Sequence, residues 1–132
     1  MHYKLDHVGW VTNNLELFEK FWVEILGFKK IFESIIPNKM NQVLFGCDSA
    51  YCARYKKGSI TLEVHVYDEL VRERELSFNQ FGINHIALHV PSRKEFLELY
   101  DFDKRIYHNP KGWDNIFIRD FEGNWIELRE KL

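Results

Sequence analysis

The sequence predicts an α+β fold in which one unit, a strand, a helix and three further strands, is used twice. Three observations lead there. Short stretches mix apolar and polar residues at strand length, two segments carry apolar residues at helical spacing behind a capping signal, and the second half can be laid over the first. Asp6-His7-Val8-Gly9-Trp10 sits over Asn84-His85-Ile86-Ala87-Leu88, and Leu62-Glu63-Val64 over Ile126-Glu127-Leu128.

The first strand is expected from Leu5 to Val11. Asn13-Asn14-Leu15-Glu16 then reads as a capping box, Asn13 to Glu16, opening a helix from about Leu15 to Leu26. Leu15, Phe18, Trp22, Ile25 and Leu26 form its apolar stripe, and Gly27 sits where a left-handed C-cap belongs. Strands are expected near Gln42 to Phe45, Tyr51 to Tyr55 and Ser59 to Val66, with turns at Gly46-Cys47-Asp48-Ser49 and Lys56-Lys57-Gly58. A polar bridge, 68–81, follows and reads as a short helix closed by Gly82. In the second half a strand runs from Ile83 to Val90, and Ser92 to Glu95 gives a second capping box. Phe96, Leu99 and Tyr100 make a shorter stripe, and strands follow near Arg105 to His108, Asn115 to Arg119 and Trp125 to Arg129. The repeats therefore span about 3–67 and 82–132 of a single domain.

The 132 residues and 16.0 kDa are one domain by size. A net charge of −2 and a pI near 6.3 offer no basic field for nucleic acid or anionic lipid. No uninterrupted apolar run exceeds the four residues 50–53, and Met1-His2-Tyr3-Lys4 opens no signal region, so a cytoplasmic protein away from membranes is expected. Cys47 and Cys52 fit neither a disulfide framework nor a zinc-finger spacing and read as thiols.

Alternation across the strands divides the side chains into two faces. Val8, Trp10, Leu62, Val64, Ile86, Leu88, Ile116, Ile118, Ile126 and Leu128 face the helices. The opposite set forms a concave polar surface and contains His7, Glu63, His85 and Glu127, a histidine and a glutamate at matched places of each repeat. Two imidazoles and two carboxylates on one face suit a divalent ion such as Zn, Ni, Mn, Co or Fe. His65 lies on the same face, two residues beyond Glu63, and replaces it as ligand if the strand pairs two residues out of this register. Phe117 and Trp125 are placed to line the surface, as is Tyr55 unless it packs in the core. Arg119, Arg129 and His89 are placed to hold an anionic group.

At these residues the chain resembles the vicinal oxygen chelate superfamily. The resemblance covers nearly the whole length. It rests on Asp6-His7-Val8-Gly9 with a helix ending Leu26-Gly27-Phe28, on Gly82-Ile83-Asn84-His85-Ile86-Ala87, and on Asp120-Phe121-Glu122-Gly123-Asn124-Trp125-Ile126-Glu127-Leu128, similar to the signature D-x-(D/E)-G-N-x-x-E-L. It implies two βαβββ modules whose mixed sheets form a cup, a divalent metal inside held by His7, Glu63, His85 and Glu127, a small-molecule substrate, and a homodimer in which a second subunit often completes the site. The four-ligand pattern is similar to glyoxalase I and methylmalonyl-CoA epimerase. By that resemblance the reaction expected is a lyase or isomerase step, removal of a proton next to a carbonyl, with Glu127 as general base and Glu63 as ligand or opposite partner.

Two positions depart from glyoxalase I. Its arginine four residues beyond the first metal histidine is Val11 here, and its asparagine four beyond the glutamate ligand is Tyr67, which disfavours a glutathione adduct. The rival readings are a non-catalytic binding protein of the bleomycin-resistance type and a metal-dependent dioxygenase; Glu63 argues against both, as it does against a fosfomycin-resistance enzyme.

Overall fold

In the computed structural model residues 1–46, 51–67 and 82–130 are described. The chain divides into two compact units, Met1–Glu73 and Arg74–Leu132, and each holds one open four-stranded mixed sheet. The polar bridge 68–81, with its expected helix, and Cys47-Asp48-Ser49 lie outside the described residues.

The first unit contains β1 (Val8–Thr12), α1 (Leu15–Glu19), β2 (Lys29–Ser34), α2 (Asn38–Phe45), β3 (Tyr51–Lys57) and β4 (Ile60–Val66). Its strand order is β1-β4-β3-β2, with β1 and β4 parallel and the other pairs antiparallel. The second unit contains β5 (His85–Val90), α3 (Arg93–Glu98), β6 (Lys104–His108), β7 (Asp114–Arg119) and β8 (Trp125–Glu130). Its order, β5-β8-β7-β6, repeats the first, again with the outer pair, β5 and β8, parallel. Both are βαβββ modules, so the α+β class and the repeat expected from the sequence are present.

The first helix starts one residue later in its cap than expected. Asn14, not Asn13, is the N-cap: its side chain accepts from the Leu17 amide at 3.0 Å, while Thr12 Oγ1 holds the Asn14 amide at 2.9 Å. Beyond Glu19 the helix widens into a π segment, Lys20–Ile25, and the Leu26 amide reaches back five residues to the Phe21 carbonyl at 3.1 Å. The wider turn brings Phe21 inward as well as Trp22 and Leu26. Gly27, at φ +77°, ends it in the left-handed region, where a side chain would be strained. Trp22 is fully buried, with the rings of Trp10, Phe21 and Phe28 at 5.2–5.5 Å and Phe18 at 6.1 Å. Each such buried side chain contributes about 1.5–3 kcal/mol.

Several expectations are corrected here. Gln42 to Phe45 is the end of α2, not a strand. Met40, Val43 and Leu44 stand at helical spacing, the buried Asn41 amide donates to the carbonyls of Ile36 and Pro37, and Gly46 closes the helix at φ +67°. In its place β2 is the strand, and all six of its residues are exposed, so it carries no apolar alternation to announce it. The first strand also starts at Val8 rather than Leu5. In the second unit the Ser92 cap forms, accepting from the Glu95 amide at 3.2 Å, but the stripe it introduces is not a core face. Phe96 stacks on Phe102 at 5.4 Å, whereas Leu99 and Tyr100 are exposed.

The loop between β7 and β8 shows what the Asp120 to Asn124 motif does. The buried Asp120 carboxylate accepts the amides of Glu122 and Asn124 at 3.0 and 2.8 Å and the Asn124 side chain at 2.9 Å, while Gly123 takes φ +85°. The turn is rigid and sets the register that delivers Trp125 and Glu127.

Tyr55 belongs to the core, not to the polar face. It is buried against Phe18, 5.1 Å between rings, and its hydroxyl donates to Glu19, which Lys30 also pairs at 3.2 Å. Burial, then the bond to Glu19, raises this hydroxyl well above its ordinary value of 10.0. The unfolded chain therefore releases the proton first, so the stabilisation is complete below about pH 10 and fades as pH rises beyond it. Tyr55→Phe should cost about 1 kcal/mol at pH 7. In thermal melts from pH 8 to 11 it should also lose part of the alkaline destabilisation seen in the parent; identical alkaline slopes in both proteins would refute this role.

Candidate functional site

The register of the parallel strand pairs positions the site residues. In the first unit Gly9 pairs with Glu63, so His7, two residues earlier on the same face, lies diagonally beside that glutamate. In the second Ala87 pairs with Glu127, and His85 lies beside it in the same diagonal relation. Glu63, and not His65, is thus the register equivalent of Glu127. The separations match: His7 Nε2 to Glu63 Oε2 is 3.7 Å and His85 Nε2 to Glu127 Oε2 is 3.4 Å.

Each histidine is also oriented in the same way. The residue before it supplies an oxygen to Nδ1, Asp6 Oδ2 at 2.7 Å for His7 and Asn84 Oδ1 at 2.7 Å for His85. An amide oxygen only accepts, so Nδ1–H of His85 donates to Asn84 and Nε2 is directed at the Glu127 carboxylate. A divalent ion between Nε2 and the carboxylate would take a donor from each. Ligands about 2.1 Å from one ion stand about 3.0 Å apart at a right angle and about 3.4 Å apart at the tetrahedral angle. The donor types, their spacing and the oxygen on the far ring nitrogen all fit a divalent metal.

The first unit adds Arg54 and Cys52, which the sequence reading did not place in the site, to the His65 it did. Arg54, opposite Glu63 in the register of β3 and β4, places Nε and Nη2 at 2.8 and 2.7 Å from Glu63 Oε2, and His65 Nε2 lies 2.9 Å from Oε1. Burial works to raise the Glu63 carboxyl, but the bonds from His65 and Arg54 and the charges of His7 and Arg54 outweigh it and hold it below the ordinary carboxylate value. Cys52, opposite His65, completes a group in which thiol, carboxylate and imidazole donors lie within 4.8 Å of one another, a second arrangement able to take a metal. Burial, then the charge of Glu63, pushes the free Cys52 thiol up, and His65 Nδ1 is buried with no hydrogen-bond partner among the described residues. The signal for Arg54 was its place on the polar face, four residues before Gly58.

The other expected site residues lie on the same sheet face of the second unit. The Phe117 ring is 5.1 Å from His85 and 6.4 Å from Trp125. Arg119 stacks over Trp125 at 4.0 Å, Arg129 Nη1 lies 3.2 Å from Glu127 Oε1, and His89 is exposed opposite Arg129. No helix among the described residues is long and apolar enough to cross a membrane.

No protein-family model and no curated protein matches the sequence. Solved structures match over nearly the full length. A glyoxalase family protein from Enterococcus faecalis aligns with TM-score 0.73 at 24% identity, covering 95% of both chains. A second, from Bacillus cereus, aligns with TM-score 0.77 at 16% identity, covering 100% of this chain and 96% of its own. The trypanothione-dependent glyoxalase I of Leishmania major aligns with TM-score 0.71 at 21% identity, covering 98% of this chain and 87% of its own. The chain shares the fold of these glyoxalase-type structures.

The Asn84 contact makes a spectroscopic prediction. Long-range proton–nitrogen spectra should show His85 in the Nδ1–H form, and Asn84→Ala should abolish that preference while leaving the fold intact. An Nε2–H form in the parent protein would contradict the orientation.

Proposed function

We propose that the protein is a metal-dependent lyase or isomerase of the glyoxalase type, acting on a small carbonyl compound. The observation that supports this reading is the duplicated histidine–glutamate pair, each with the histidine's far nitrogen bound to an oxygen. Each pair would supply two donors to a divalent ion, Zn, Ni, Mn, Co or Fe, whose remaining positions are open to substrate or water.

When bound, the ion would polarise the oxygens of a chelated substrate and make the neighbouring C–H proton easier to remove. The two glutamates differ in how they are held. Glu63 accepts from Arg54 through two nitrogens and contacts His65, which fixes both its oxygens. Glu127 is held at one oxygen by Arg129 at 3.2 Å. The freer carboxylate is the better proton acceptor, so Glu127 is the general base and Glu63 the fixed ligand. Phe117 and Trp125 exclude water from the face where the proton moves.

The Arg54–Glu63 bond favours a second reading, a metal-free small-molecule binder, because a guanidinium already neutralises that carboxylate. Reconstitution separates the two. After exposure to Zn, Ni, Mn, Co or Fe(II) and dialysis, the chain should retain about one ion, and His85→Ala should lose it. Glu127→Gln should keep most of the metal yet slow deuterium exchange next to the carbonyl of α-hydroxycarbonyl compounds by about 10²–10⁴-fold. A reconstituted protein that retains no metal overturns the enzyme reading.

A further inference from the structure

The polar face of the second unit is organised in two adjacent rows across its strands. One runs Arg119–Trp125–His85 and the next Arg105–Phe117–Glu127. Each has a proposed metal donor at one end, an aromatic ring in the middle and an arginine at the other end. The two arginines converge: the guanidinium of Arg105 lies 4.8 Å and that of Arg119 4.0 Å from the ring of Trp125, which is only 5% exposed. One indole thus carries two like charges, an arrangement that repels itself unless an anion joins it.

The protein supplies little of that anion. The carboxylate nearest Arg119 is Asp103, 3.9 Å away on a side chain 68% exposed. Arg105 has no carboxylate within 4 Å among the described residues. Arg119 Nε is buried and has no hydrogen-bond partner among the described residues. A buried guanidinium donor without an acceptor is costly, and a planar oxyanion satisfies it.

We propose that Arg105 and Arg119 bind the anionic end of the substrate, a carboxylate or phosphate-type group carried on an apolar body that lies over Phe117. Neighbouring strands stand about 4.8 Å apart, so Arg105 is two spacings, about 10 Å of backbone, from Glu127. That span fits a compact molecule, one aromatic ring or a short carbon chain between its reacting carbonyl and its anionic head. Calling this ligand the substrate rests on the reading above; the binding of the anion does not, and it is measured without metal.

The test uses metal-free protein at low salt, titrated with benzoate, phenylphosphonate and neutral benzamide, and followed by calorimetry and by the indole resonance of Trp125. Benzoate or phenylphosphonate should saturate the site and benzamide should not, and the stronger of the two anions identifies the head group. Arg105→Gln, at an exposed position, should weaken the anion at least about tenfold with unchanged melting temperature. Arg119→Lys should keep charge but lose the planar contact and weaken it too. Equal binding of benzamide and benzoate, no binding of either anion, or full affinity in both variants overturns the proposal. Failure to take up metal, with anion binding intact, would count against the enzyme reading alone.

Discussion

The parallel pairing of the first and last strands of each module is the constraint on which everything else hangs. A parallel pair cannot be closed by a tight turn; the chain must leave, build the rest of the module and return. In doing so it brings His7 beside Glu63 and His85 beside Glu127, residues far apart in sequence, in the same diagonal relation. A slip of one residue in either ladder would turn the glutamate to the opposite face, into the aliphatic core of Leu62, Val64, Ile126 and Leu128. Packing of that core therefore protects the geometry of the polar face.

The two copies have diverged in what surrounds the shared pair. In the first, Arg54, His65 and Cys52 crowd Glu63 and make it a fixed, fully engaged carboxylate. In the second, aromatic rings and arginines surround Glu127, which keeps an oxygen directed at His85 and free of Arg129. The same donor pair thus stands in two different settings, ionic and thiol-bearing in the first unit, aromatic and arginine-rich in the second.

The sequence made much of this legible. Elements with one buried face, β4, β7 and β8, alternate clearly, and the helix starts are announced by the Asn13-Asn14 pair, of which the second is the cap, and by Ser92. The matched histidines and glutamates were visible because repetition and alternation both mark them. What stayed hidden lacked such a signal. β2 is exposed along its whole length, and α2 ends in Val43, Leu44 and Phe45, an apolar run that reads as well as a strand. Arg54 and Arg105 act through cross-strand partners, which only the register discloses. Tyr55 faces the core because its strand position alternates with Arg54, a parity that its polar hydroxyl concealed.

The central claim is the proposal that a histidine–glutamate pair of this register binds a divalent metal. Anomalous diffraction from crystals soaked in Zn²⁺ or Co²⁺ tests it directly. The account predicts a strong peak about 2.1 Å from Nε2 of His85 and from a carboxylate oxygen of Glu127. A peak elsewhere, or none, with Arg54 and His65 still closed on Glu63, would contradict it.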